Sequence, residues 1–205
     1  MTNPADEPKS LLDPLARKLL FSKLHEPHIC PLTQFVETIR NETEQYERIP
    51  YFDPSDGGIH SKCLFLFETP GPGAVCSGFI SRNNPDETAK NFFELNKEAR
   101  LARKLTISWN IVPWYIGKEK KIIRDDIEKG KECLSRLLLL LPHLRVIVLA
   151  GGTARKAESF LKEHYGSLAL MKMHHPSPQF INRSRDENRR QILRSLKEVQ
   201  KAVVA

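Results

Sequence analysis

The sequence contains no long apolar run. The longest, Leu137 to Leu141, falls far short of the roughly 20 residues needed to cross a bilayer, so no membrane partner is expected. The first fourteen residues hold Asp6, Glu7 and three prolines, and lack the basic start and apolar stretch of a secretory signal. They read as a flexible leader, 1–14, on a cytoplasmic protein. Cysteine is sparse: Cys30, Cys63, Cys76 and Cys133 are scattered, with no C-x-x-C pair. That spacing argues against a disulfide frame, a zinc knuckle or an iron–sulfur cluster, and fits reduced thiols. Internal repeats and low-complexity linkers are also missing, and 205 residues suit a single domain, 1–205.

What is present is charge in one place. The net charge is +7, and from Lys172 onward there are 8 Lys/Arg against 3 Asp/Glu, a net of +5. A concentrated positive end suits a polyanionic partner, because neutralising phosphates releases counterions. A solvated basic helix would look the same.

Four short apolar runs have strand character: Cys63 to Phe67, Leu105 to Asn110, Leu144 to Leu149 and Leu168 to Met173. Helical spacing lies between them: from Asn84-Pro85 through Phe92, Leu95 and Ala99; from Arg124 to Leu141; and after Gly151-Gly152-Thr153 through Ala157 and Leu161. A last helix begins at Ser184 and carries Ile192, Leu196, Val199 and Val203 on one face, with Ser184 and Glu187 at capping-box spacing. Two earlier helices are expected over Leu11 to Leu24 and Pro31 to Glu47. The alternation predicts an α/β fold: three layers, α/β/α, around a central four-stranded, mainly parallel sheet.

Ligands of such sheets bind outside the carboxyl ends of the strands. The segments there are "ETPGPG" after Phe67, "WNIVPWY" after Ser108, "AGGTA" after Leu149 and "HHPSPQF" after Met173. Pro, Gly, aromatic and hydrogen-bonding residues concentrate at these ends, as one shared cleft requires.

Taken in order, "FETPG" (Phe67 to Gly71), "GF" (Gly78-Phe79), "WN" (Trp109-Asn110), "GGTA" (Gly151 to Ala154) and "HPSP" (His175 to Pro178) resemble the uracil-DNA glycosylase superfamily. That family carries a G-E-A-P-G or G-Q-D-P-Y-H loop, a stacking Phe, a base-reading Asn, a glycine turn and an H-P-S-P loop. The resemblance spans about Leu64 to Arg183 and implies excision of uracil from DNA, single- or double-stranded, by a monomer. It implies no cofactor and no metal. In a bacterium it also implies a nucleoid-associated enzyme.

The resemblance and the residue chemistry together nominate the site. His175 is expected to donate to the uracil 2-oxygen as negative charge develops there, as an oxyanion hole does. Glu68 takes the place of the G-E-A-P-G glutamate, which would orient water or stabilise the sugar cation. Asn110 can read the base edge with one acceptor and one donor, and Phe79 can stack on its face. Thr69 and Gly71 complete the base-binding loop. Thr69 stands where the other branch has its water-activating Asp, and Gly71 where that branch has its thymine-excluding Tyr. Pro176, Ser177 and Pro178 are expected to press on the DNA backbone, and Gln179 or Phe180 to fill the vacated stack. Arg183, with Arg185 and Arg189, is expected to track phosphates. A phosphate could also meet the turn at Gly151-Gly152-Thr153. Two other readings stay open: a damaged-DNA or abasic-site binding module without turnover, and a metal-dependent nucleotide hydrolase using His174 and His175.

Overall fold

The computed structural model describes residues 6–43, 48–117 and 121–204. Its centre is β2 (Cys63–Phe67), in which Cys63 and Phe65 point to one face and Leu64 and Leu66 to the other, all four fully buried. A strand buried on both faces belongs inside a parallel sheet covered by helices. The sheet runs β4-β2-β5-β6, all parallel, with β4 (Thr106–Asn110), β5 (Val146–Ala150) and β6 (Ala169–Met173). The three-layer α/β/α expectation holds, and the strand boundaries match those read from the sequence to within two residues.

Period-two alternation splits the interior into two cores. One packs Leu64, Leu66, Trp109 and Leu149 against α2 (Cys30–Thr43) and α5 (Arg124–Leu138). The other packs Phe65, Val148 and Met173 against α4 (Glu87–Glu98) and α8 (Arg185–Val204). All four apolar residues assigned to the last helix face, Ile192, Leu196, Val199 and Val203, are fully buried there. On this second face β4 departs from the pattern: Thr106, Ser108 and Asn110 are polar and buried. A polar stripe in an apolar layer marks the place where the sheet serves something other than packing.

The shorter elements set the rim. α1 (Pro14–Ser22) is capped by Asp13, whose Oδ1 accepts from the Leu15 amide at 2.9 Å. β1 (Tyr51–Phe52) pairs in parallel with β3 (Phe79–Ile80), which follows α3 (Pro72–Ser77). α6 (Glu158–His164) leads into β6, and α7 (Pro178–Ile181) into α8. The helix expected over Pro31 to Glu47 ends at Thr43 in its described part; residues 44–47 lie outside the described residues, as do residues 1–5.

From residue 6 onward the expected flexible leader is tied down. Leu11 is buried with Leu20, Leu24 and Phe79, Asp6 pairs with Arg103 at 2.5 Å, and Asn83 Nδ2 donates to the Glu7 carbonyl at 2.7 Å. One apolar side chain with a ready pocket, flanked by ion pairs, offsets the entropy of ordering the segment.

Candidate active site

β2 lies between β4 and β5, so successive strands leave it in opposite directions and a crevice opens at their carboxyl ends. A cavity of about 320 Å³ lies there. Its walls are the loop Thr69 to Gly73, the segment Ile80 to Arg82 with Asn84 and Asp86, the β4 residues Ser108 and Asn110, the rings of Phe67 and Phe92, and His175. Asn110 and His175, which come from opposite edges of the sheet order, meet in this one cavity.

His175 is partly buried after β6, its ring edge-on to Phe67 with centroids 5.7 Å apart. Desolvation holds its pKa below the ordinary imidazole value, against an upward pull from Glu68 and Asp86, so the ring is neutral at neutral pH. Gly151 makes room for it: this residue has φ 94°, and a Cβ there would lie 3.3 Å from the His175 Cβ. The glycine turn therefore admits the histidine. Thr153 is also engaged, its hydroxyl donating to Glu68 Oε2 at 2.7 Å.

Glu68 itself is exposed and does not line the cavity. The carboxylate in the wall is Asp86, which the sequence reading missed. Its Oδ1 accepts from the Ala89 amide at 2.9 Å as the cap of α4, while Oδ2 faces Gly73. Thr69 lines the cavity as expected, with its hydroxyl donating to the Trp114 carbonyl at 2.8 Å; Gly71 lines it too, with open space where a Cβ would go.

Phe79 is a correction. Its pairing in β3 turns the ring inward, where it is fully buried against Phe21 at 4.6 Å and Tyr51 at 6.4 Å. Its neighbour Ile80 points the other way and lines the cavity. Phe79 cannot stack on a base; the aromatic walls are Phe67 and Phe92.

Comparison with known proteins decides the family. The model of the "Uracil DNA glycosylase superfamily" matches residues 41–197, most of the chain. The chain belongs to the uracil DNA glycosylase superfamily. Curated proteins give no match to the sequence. Among solved structures, SMUG2 from Pedobacter heparinus is similar over 85% of this chain and 84% of its own, at 16% identity and a TM-score of 0.56. A solution NMR structure of a candidate uracil DNA glycosylase from Methanosarcina acetivorans is similar over 69% of this chain and 92% of its own, at 17% identity and a TM-score of 0.50. At these identities the likeness is one of fold, and membership implies a DNA glycosylase.

In this glycosylase the H-P-S-P loop is held from behind. Asn91 Nδ2 donates to the Pro176 carbonyl at 3.0 Å, and Asn188 Nδ2 to the Phe180 carbonyl at 2.7 Å. Ser177 caps α7, beginning with Pro178, by accepting from the Phe180 amide. Phe180 stacks on His174, with centroids 4.3 Å apart and 10° between planes, and packs on the second core. That engagement withdraws Phe180 as the plug and leaves Gln179, which is exposed. Arg183 and Arg185 are exposed, whereas Arg189 is pinned to Glu98 at 2.8 Å and Glu94 at 3.8 Å and is a poor phosphate contact. Among the described residues no three His, Cys, Asp or Glu side chains are grouped to hold a metal ion.

Proposed function

We propose that the protein hydrolyses the N-glycosidic bond of uracil in DNA after flipping the nucleotide, leaving an abasic site. The observation that carries this reading is the convergence of Asn110 and His175 on one cavity of about 320 Å³, roomy enough for a base, at the carboxyl edge of the sheet. Uracil presents a ring N–H flanked by two carbonyls, and the Asn110 carboxamide supplies the complementary acceptor and donor. As the bond breaks, electrons flow onto the base. The neutral His175 ring donates a hydrogen bond to the oxygen that gains charge, a contact stronger in the transition state than in the ground state.

The sugar becomes cationic at the same time. Glu68 at the rim and Asp86 in the wall both act electrostatically on His175, and both lie where they can oppose that positive charge. Asp86 is the better placed to orient the attacking water, because it faces the cavity while Glu68 is turned to Thr153. Outside the cavity, Ser177, Gln179 and the exposed Arg183 and Arg185 form the edge that DNA would meet.

The direct test is a panel of labelled oligonucleotides, each carrying one altered base, assayed for base release with and without a chelator. Uracil release undiminished by chelator is expected. Tight binding of uracil-containing or abasic DNA with no release would point to a binding module, and chelator-sensitive activity to a metal-dependent hydrolase.

A further inference from the structure

The cavity wall holds a cation that the chemistry above leaves unused. Arg82 lines the cavity, is 7% exposed, and places its guanidinium carbon 5.6 Å from the centroid of Phe92, another wall residue. Its Nη2 donates to Thr106 Oγ1 at 2.8 Å. Thr106, Ser108 and Asn110 share one face of β4, so the polar stripe that begins at Asn110 ends at this guanidinium.

The nearby carboxylates bond directly to Arg103 and act on Arg82 through space, Asp56 most strongly. Arg103 holds Asp53 at 2.5 Å through Nη2 and Asp56 at 2.8 Å through Nε. It also pairs with Asp6 and donates to Asn83 Oδ1 at 2.6 Å. Arg82 makes no ion pair within 4.0 Å among the described residues. The carboxylates thus make their direct ion pairs with Arg103, while Arg82, bonded to Thr106, is the cation that lines the cavity. A buried guanidinium in direct contact with no carboxylate is costly even with Asp56 nearby, and perturbed charges of this kind gather at functional sites.

We propose that Arg82 is a second anion-stabilising group of the base pocket, selecting bases that depart as anions. This rests on the glycosylase reading. The C1′–N bond breaks heterolytically, the electron pair stays on the base, and water adds its oxygen to the sugar cation and gives up one proton to solvent. Arg82 keeps its proton throughout, and the base leaves with its negative charge spread over nitrogen and carbonyl oxygens in the field of the guanidinium. With a neutral His175 and a permanently charged Arg82, the pocket offers no acid to a base that must be protonated before it can leave.

The test compares single-turnover release of uracil and of 5-fluorouracil, whose anion is intrinsically more stable, from otherwise identical DNA. Arg82→Met is expected to slow uracil release on the order of 100-fold. It should slow 5-fluorouracil release only about tenfold, so the ratio between substrates rises about tenfold. Arg82→Lys, which keeps a cation, should restore part of the uracil rate. An equal loss on both substrates in Arg82→Met and Arg82→Lys alike would assign Arg82 to the scaffold and overturn the proposal, as would an unchanged rate. Calorimetry with free 5-fluorouracil on either side of its ionisation is the arm independent of turnover. Wild type should bind the anion more tightly and Arg82→Met should lose that preference; equal wild-type affinity for both forms overturns the proposal. Anion preference that depends on Arg82, in a wild type that releases neither base, would keep the anion site and remove the glycosylase reading.

Discussion

Gly151 and His175 pack so closely that a methyl group added to the glycine would lie 3.3 Å from the histidine Cβ, at a backbone φ of 94° that side chains rarely adopt. Gly151→Ala should therefore cost about 1–3 kcal/mol of stability and displace the histidine from the cavity. Thermal unfolding and base-release rates check both effects. Gly152→Ala, where a Cβ meets nothing within 4 Å, is the control and should change little.

Asp86 and Glu68 separate by conservative substitution. Asp86→Asn keeps the cap on α4, since Asn caps nearly as well, while removing the charge that faces the cavity. Release should fall on the order of 10- to 100-fold with little change in melting temperature. Glu68→Gln should have a smaller effect, because that carboxylate accepts from Thr153 outside the cavity. The opposite ranking would return the role to Glu68.

The pH dependence follows from His175. Desolvation lowers its pKa below 6.5, so the neutral donor persists across neutrality, and the acid limb of the rate profile should fall below pH 6.5. Its contribution to stability has the same sign: present above the ordinary imidazole value and lost as pH falls toward the depressed one. An NMR titration of the ring tests this directly, and a limb above pH 6.5 that vanishes in His175→Gln would contradict it.

Asp56 works in the other direction. Burial raises its carboxyl to about 6 against the pull of Arg103 and Arg82. A raised pKa stabilises fully below the unfolded value of 3.8 and ceases to do so as pH rises through about 6. The melting temperature of wild type relative to Asp56→Asn should therefore decline between about pH 4 and 6. Asp53, on the same Arg103, is held low by that cation and by hydrogen bonds from Ser81 and Ser55, despite its burial.

Phe79 is a packing residue. Phe79→Ala should destabilise by about 3–5 kcal/mol, whereas Phe79→Leu should fold and retain base release. A selective loss of base binding in a stable Phe79→Leu variant would restore the stacking role.

The four strands were legible because each is a short apolar run bounded by turn residues, and the last helix because Ile192, Leu196, Val199 and Val203 repeat at helical spacing. Asn110 and His175 were legible from the "WN" and "HPSP" resemblance, and their meeting from the rule that the carboxyl ends of parallel strands converge. The parity of a two-residue strand was not legible. Phe79 and Ile80 are equally apolar, and only the pairing of β3 with β1 decides which ring turns inward. Arg82 sits in the polar "SRNN" and Asp86 at the expected start of the next helix, and nothing local shows that Ser81, Arg82, Asn83 and Asn84 are all buried. Their burial depends on Arg103 and on the N-terminal segment, partners far away in sequence. Gln179 and Phe180 stay equal candidates for the plug in the sequence because nothing local reveals that His174 stacks on Phe180.

The most direct measurement is single-turnover release of uracil from a defined oligonucleotide by wild type, Asn110→Asp and His175→Ala. Release by wild type, with losses on the order of 100-fold or more in both variants at unchanged melting temperature, is the expected result. No release by wild type, or undiminished release by either variant, would contradict the assignment of the cavity shared by Asn110 and His175 as a uracil-excising site.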